Sequence, residues 1–413
     1  MPPPRAVGFL VLAAAAGLRP PAARAGDWPQ FAGPHRDGTS AEAGLARAWP
    51  PGGPPVAWAK DVGAGFAGVA VAGGKVFLFH RVGGDEVVRQ LDAATGAEGW
   101  AHAYPTRYVD DFGFDPGPRA TPLVAGGRVF TLGPNGDLHA LDAATGAKLW
   151  ARNVLADYGA GKGYFGAAGS PALAAGHLLV NVGGKGAGVV AFDPATGAEV
   201  WKATDDAASY SSPAVAEVGG KTLAVFFTRA GLQALDPKSG AVAYSFPWRS
   251  RLDASVNAAT PLVRDGEIFL TASYGTGAVL LRPKGGELEE VWSNDRSLSC
   301  HYNTPVRVGD HLYGIHGRQE GGGAELRCVA WKTGEVKWAK ERFGCAGLIA
   351  ADGGILAVTE GGELVRFDAD PAGYTERGRA AVLTGVTRAA PALADGRLYV
   401  RDEKRLVCVN LRK

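Results

Sequence analysis

The chain has 413 residues with 43 basic and 41 acidic side chains, a formal charge of +2, so no basic footprint for nucleic acid is present. Gly 61 and Pro 26 make up about a fifth of the residues against a single Met, a composition of short strands and turns rather than long helices. No apolar run long enough to cross a bilayer follows residue 25, so no transmembrane anchor is expected.

Residues 1–25 read as a signal peptide. Arg5 supplies the positive start, Ala6 to Leu18 the short apolar run, and Ala23-Arg24-Ala25 a small-x-small cleavage site. This predicts an exported protein, periplasmic or extracellular. No Cys lies near the cut to take a lipid. Residues 26–53 form a lead segment that begins Asp27-Trp28-Pro29-Gln30-Phe31.

From residue 54 to 413 the chain repeats itself, which decides the architecture. The phrase Leu91-Asp-Ala-Ala-Thr-Gly-Ala-Glu-Gly-Trp100 recurs as Leu141 to Trp150 and Phe192 to Trp201, and more weakly as Leu235 to Tyr244, up to Trp292, and Trp331 to Trp338. Their closing aromatic residues step by 50, 51, 43, 48 and 46 residues. Before each copy stands a Thr-Pro or Ser-Pro, an apolar stretch and a Gly turn, as at Thr121, Ser170, Ser212, Thr260 and Thr304, with Ala390-Pro391 last. Eight such units are counted, each predicting four short antiparallel strands, here named A to D. In the second unit these are 121–124, 128–132, 137–141 and 147–150. The Asp of the tip can accept backbone N–H groups, and its Gly tolerates positive φ.

The expected fold is therefore all-β, an eight-bladed β-propeller spanning residues 54–413. The eighth unit lacks its own Trp strand, and residues 55–60, containing Trp58, supply one at the other end. An N-terminal strand that closes the last blade removes the open sheet edges. Trp58, Trp100, Trp150, Trp201, Trp292 and Trp338 are expected to wedge between neighbouring blades.

Ala140 to Trp150 resembles the pyrroloquinoline-quinone-like (PQQ-like) propeller repeat, with its Ala-x-Asp-x-x-Thr-Gly-x-x-x-Trp docking phrase. The resemblance covers nearly all of residues 54–413 and implies the fold of the quinoprotein alcohol dehydrogenases. It also implies what a dehydrogenase would carry: an adjacent Cys-Cys pair and a Glu, Asn and Asp set around calcium. No Cys-Cys pair is present, and no residue matches the calcium set.

The expected function is an exported, non-catalytic binding or scaffold module that takes a protein, peptide or glycan through its D–A loops and has no cofactor. The alternative is a periplasmic dehydrogenase of an alcohol or sugar that uses PQQ with calcium. Charged and aromatic residues on the D–A loops nominate Arg107, Asp111, Tyr164, Arg251 and His301 as channel-mouth binding residues. Asp110, Asp111 and Asp115 are a weak calcium candidate without regular ligand spacing. Gly161 to Gly166 spells GxGxxG, but no long strand precedes it and no helix follows. For the four cysteines, Cys300, Cys328, Cys345 and Cys408, two readings stand: buried free thiols, or a Cys300–Cys345 disulfide between neighbouring blades.

Overall fold

The computed structural model describes residues 26–320 and 322–413, so the signal-peptide expectation lies outside the described residues. The repeat phrase explains the local structure. Asp142 Oδ1 accepts from the Ala144 and Thr145 backbone N–H groups at 3.0 and 2.8 Å and from the Thr145 hydroxyl at 2.8 Å. Asp92 and Asp193 close their turns in the same way. Just beyond each turn the C–D register slips by a residue. Leu141 faces Lys148, but Ala140 faces Trp150. Such a bulge re-aims the side chains that follow it.

The re-aimed indole reaches the next blade. Trp150 Nε1 donates to Pro194 O at 3.1 Å, Trp100 to Ala143 O at 3.1 Å and Trp201 to Pro237 O at 3.2 Å. Trp58, Trp292 and Trp338 dock on Ala93, Trp331 and Asp370. The turn Gly under the ring leaves no room for a Cβ: at Gly197, φ +72°, one would sit 2.7 Å from Trp150. Blade seven has Gly378 in the docking register, opposite Arg366, and the ring of Trp49 from the lead segment lies over it instead.

Among the described residues the strands form eight four-stranded antiparallel sheets. Blade one runs Ala70–Ala72, Lys75–Val82, Asp85–Asp92 and Glu98–Pro105. Blade eight takes Ala392–Ala394, Arg397–Arg401 and Arg405–Asn410 from the C-terminus and Val56–Asp61 from the N-terminus, which pairs with Arg405–Asn410. Among the described residues a single short helix, Val154–Tyr158, follows blade two, an element the repeat does not predict; Asn153 caps it by accepting from Ala156 N. The core is a set of clusters between facing sheets, filled by residues such as Phe79, Phe130, Phe192 and Phe269.

The A strands surround the channel, and the Ser/Thr-Pro phrase stitches them together. Thr121 N donates to Ser170 Oγ at 2.9 Å, Ser170 N to Ser212 Oγ at 2.9 Å and Thr260 N to Thr304 Oγ1 at 3.0 Å. The lead segment threads this ring. Trp28 exchanges two 2.8 Å backbone bonds with Val71 of blade one, Pro29 O accepts from Val124 of blade two, and Gly38 O accepts from Ala350 of blade seven. Between them Arg36 Nε donates to Pro213 O at 2.6 Å. Its Nη groups donate at 3.0 Å to Pro171 O, Ser170 O and Gln30 Oε1. The lead therefore plugs the channel, which the sequence did not reveal.

All four cysteines are free and buried, so the Cys300–Cys345 disulfide is not formed. Burial pushes the Cys300 thiol up to about 12 and that of Cys345 to about 11, which makes both poor thiolates.

Candidate binding cup

With the channel plugged, what remains at the D–A face is a blind cup of about 230 Å³. Trp28, Phe31 and Gly38 of the lead form its floor. Much of its wall comes from one repeated position, two residues before the Ser/Thr of the Ser/Thr-Pro phrase in five blades and before Gly68 and Ala390, which replace that residue, in blades one and eight. Phe66, Arg119, Ala168, Tyr210, Ala258, Tyr302 and Arg388 occupy that position in seven blades, and all seven line the cup. Phe114, Phe165, His301, Asn303 and Gln319 also line it, and among the described residues no Asp or Glu does.

Two guanidinium groups face this apolar space. Arg119 is tied down, pairing with Asp110 and donating to Gly117 O and Asp115 O. Arg388 Nε donates to Glu360 Oε1 at 2.6 Å, and its Cζ lies 5.4 Å from the Phe66 ring centre and 5.1 Å from that of Phe114. Beside the floor, the Arg36 guanidinium is bound only to carbonyl and amide oxygens. Burial pushes its pKa down to about 9, so it stays charged at neutral pH with no carboxylate against it.

An aromatic arc rims the cup. Phe112 packs on Phe165 at 5.4 Å between centroids, and Phe165 meets Tyr210 edge-on at 5.3 Å. Tyr210 Oη accepts from Tyr164 N and Phe165 N at 2.8 and 3.1 Å and so fixes that loop. Val109, Phe112 and Leu252 on these loops are 70%, 56% and 59% exposed.

Of the five nominated residues, only His301 lines the cup. Its nitrogens are occupied. Gln319 Nε2 donates to Glu320, which leaves Gln319 Oε1 to accept from His301 Nδ1–H at 2.7 Å; His301 Nε2 then accepts from Tyr274 Oη at 2.7 Å. Burial lowers its pKa, in keeping with a neutral ring. Tyr164 stands on the rim beside Phe165 and Phe112. Arg107 and Arg251 are exposed, and Asp111 pairs with Lys162 at the surface. Left at the surface, these charged residues keep their hydration and incur no desolvation cost. Asp110, Asp111 and Asp115 do not converge as calcium ligands either. Asp115 accepts from Gly65 N and Gly117 N, Asp110 holds Arg119, and Asp111 holds Lys162. Among the described residues, no group of three His, Cys, Asp or Glu side chains is placed to hold a metal ion. The cup residues therefore do not fit a calcium-bound quinone.

No curated protein matches the sequence. Among solved structures the chain is similar to BamB from Moraxella catarrhalis, with 15% identity and a TM-score of 0.64 over 86% of this chain and 99% of that one. It is also similar to the quinohemoprotein alcohol dehydrogenase of Comamonas testosteroni, with 15% identity and a TM-score of 0.54 over 95% and 82%. The computationally designed protein Ika8 matches at 11% identity and a TM-score of 0.56 over 90% and 99%. At these identities the likeness is one of fold. The sequence itself matches the family described as outer membrane protein assembly factor BamB over residues 48–164 and 84–340, well over half its length, so the chain belongs to this family of PQQ-like propellers.

Proposed function

We propose that this protein is an exported, non-catalytic propeller that holds a protein partner on its D–A loop face. The observation that carries the reading is the exposed aromatic rim of Phe112, Phe114 and Tyr164, packed on one another and on Phe165 at a blind apolar cup. Contiguous exposed apolar residues on a rigid scaffold mark interaction sites. Membership of a family described as an outer membrane assembly factor supports a partner that is itself a protein.

A photo-reactive residue at Phe112, in protein exported by a bacterial host, tests this. One saturable cross-linked protein is expected, and the same substitution at Val242, an exposed outer-strand residue, captures none. Equal capture from both sites overturns the reading.

The dehydrogenase alternative rests on the shared fold and lacks carboxylates in the cup wall. Purified protein given PQQ and calcium is expected to show no dye-linked oxidation of alcohols or sugars. A saturable, quinone-dependent rate would establish the alternative.

A further inference from the structure

The cup is more specific than an apolar dimple, because residues of its wall hold polar groups without a protein partner: the Arg388 guanidinium end, Asn303 Oδ1 and Tyr302 Oη. Among the described residues Arg388 donates only to Glu360, through Nε, which leaves both Nη groups without a protein acceptor. The ion pair and the rings of Phe66 and Phe114 hold the guanidinium plane in place. A fixed guanidinium end with two free Nη groups, one N–H of each pointing forward, matches the two oxygens of a carboxylate.

Another of these groups is an acceptor. Asn303 lines the cup and is only 8% exposed, yet its Oδ1 has no hydrogen-bond partner. A buried amide oxygen without a donor calls for one from outside the protein, since leaving it unpaired carries its full desolvation cost. Around these two groups stand Phe66, Phe165 and Tyr210, a wall suited to a flat apolar side chain.

A carboxylate, an N–H and an apolar side chain occur together on one residue only at the C-terminal end of a peptide. The floor formed by Trp28, Phe31 and Gly38 bars a chain from passing through and leaves room for a chain end. Glu360 and Asp110 balance Arg388 and Arg119 from behind, no acidic side chain enters the wall, and Arg36 beside the floor has no carboxylate against it, so the remaining charge favours an anion. We propose that the cup binds the C-terminal residue of a partner polypeptide, an aromatic or large aliphatic one, with Arg388 taking the carboxylate and Asn303 the backbone N–H. This deepens the protein-partner reading and rests on it.

The test uses isothermal calorimetry on the purified protein with four peptides. They are Gly-Gly-Phe as free acid, its C-terminal amide, Gly-Gly-Ala as free acid, and acetyl-Gly-Asp-Phe-Gly-amide, whose only carboxylate is on a side chain. The Phe acid is expected to bind saturably, and its amide at least tenfold more weakly, a difference of about 1.4 kcal/mol. The Ala acid and the internal Asp peptide are likewise expected to bind at least tenfold more weakly. Arg388→Gln should erase the preference for acid over amide, and Asn303→Ala should weaken both. Thermal melts of the variants guard against misfolding, while the acid–amide contrast needs only the unmodified protein. Equal binding of acid and amide, an unchanged preference in Arg388→Gln, or no saturation by about 10 mM overturns the proposal. An internal Asp peptide that binds as tightly as the Phe acid rejects the chain end as occupant. If these peptides fail while Phe112 still cross-links one partner, the cup inference falls and the docking face stands.

Discussion

At the residue scale, stability is concentrated in a few repeated contacts. Trp150 is 9% exposed, donates across to Pro194 and lies against Gly197. Trp150→Ala empties that space and removes the bond, so it should cost about 3–5 kcal/mol in denaturant unfolding. His80 introduces a pH dependence. It is buried, its Nδ1 accepts from Gly63 N at 2.8 Å, and burial together with the Arg401 charge pushes its pKa down to about 3. The unfolded chain takes up the proton near its ordinary value of 6.5, whereas the folded chain refuses it until about 3. This contribution is therefore complete above pH 6.5 and is lost progressively as pH falls toward about 3. His80→Asn keeps an acceptor for Gly63 and does not titrate. Its melting temperature should fall less than that of the parent between neutral pH and pH 4.

At the element scale, the lead segment is the least expected part of the molecule. It supplies the floor of the cup, the Trp49 ring over Gly378 and a guanidinium that holds blades three and four together. Arg36 is a planar fork spread over four oxygens. Lysine would carry the same charge into the same buried place but reach fewer of those acceptors. Arg36→Lys should therefore destabilise by at least about 2 kcal/mol, read from denaturant unfolding. An unchanged midpoint would mean that the fork does not hold the plug.

At the scale of the whole molecule, one strand closes the ring. Val56–Asp61 pairs with Arg405–Asn410, and the seam is reinforced from both sides. Trp58 Nε1 and Tyr399 Oη both donate to Ala93 O, at 3.1 and 3.0 Å. Arg401, buried, donates to Gly63 O at 2.7 Å and Phe79 O at 3.3 Å. Deleting residues 54–62 removes the outer strand of blade eight and exposes the edge of Arg405–Asn410. The deletion should lower the melting temperature sharply and broaden the transition. A melt like that of the parent would show that blade eight closes without this strand.

What the sequence by itself determined was everything that recurs at a constant offset. The eight blades, the Asp-x-x-Thr-Gly turns, the Trp docking and the closing strand were legible because each rests on bonds within one repeat or to the next. The same few residues reappear wherever those bonds do, from Asp92 to Trp338. The cup was half legible. Its wall position, two residues before the Ser/Thr-Pro phrase or the Gly68 or Ala390 that replaces its first residue, recurs along the chain but carries Phe, Arg, Ala or Tyr, so identity does not mark it. Charge on the loops drew attention to Arg107, Asp111 and Arg251, which the fold leaves in water. The tertiary structure alone decided the plug of the channel by Trp28 to Gly38, the substitution of Trp49 at Gly378, and the meeting of Arg388, Asn303 and Phe66 in one cup. Those residues lie far apart along the chain, and only ring closure brings them to a common axis.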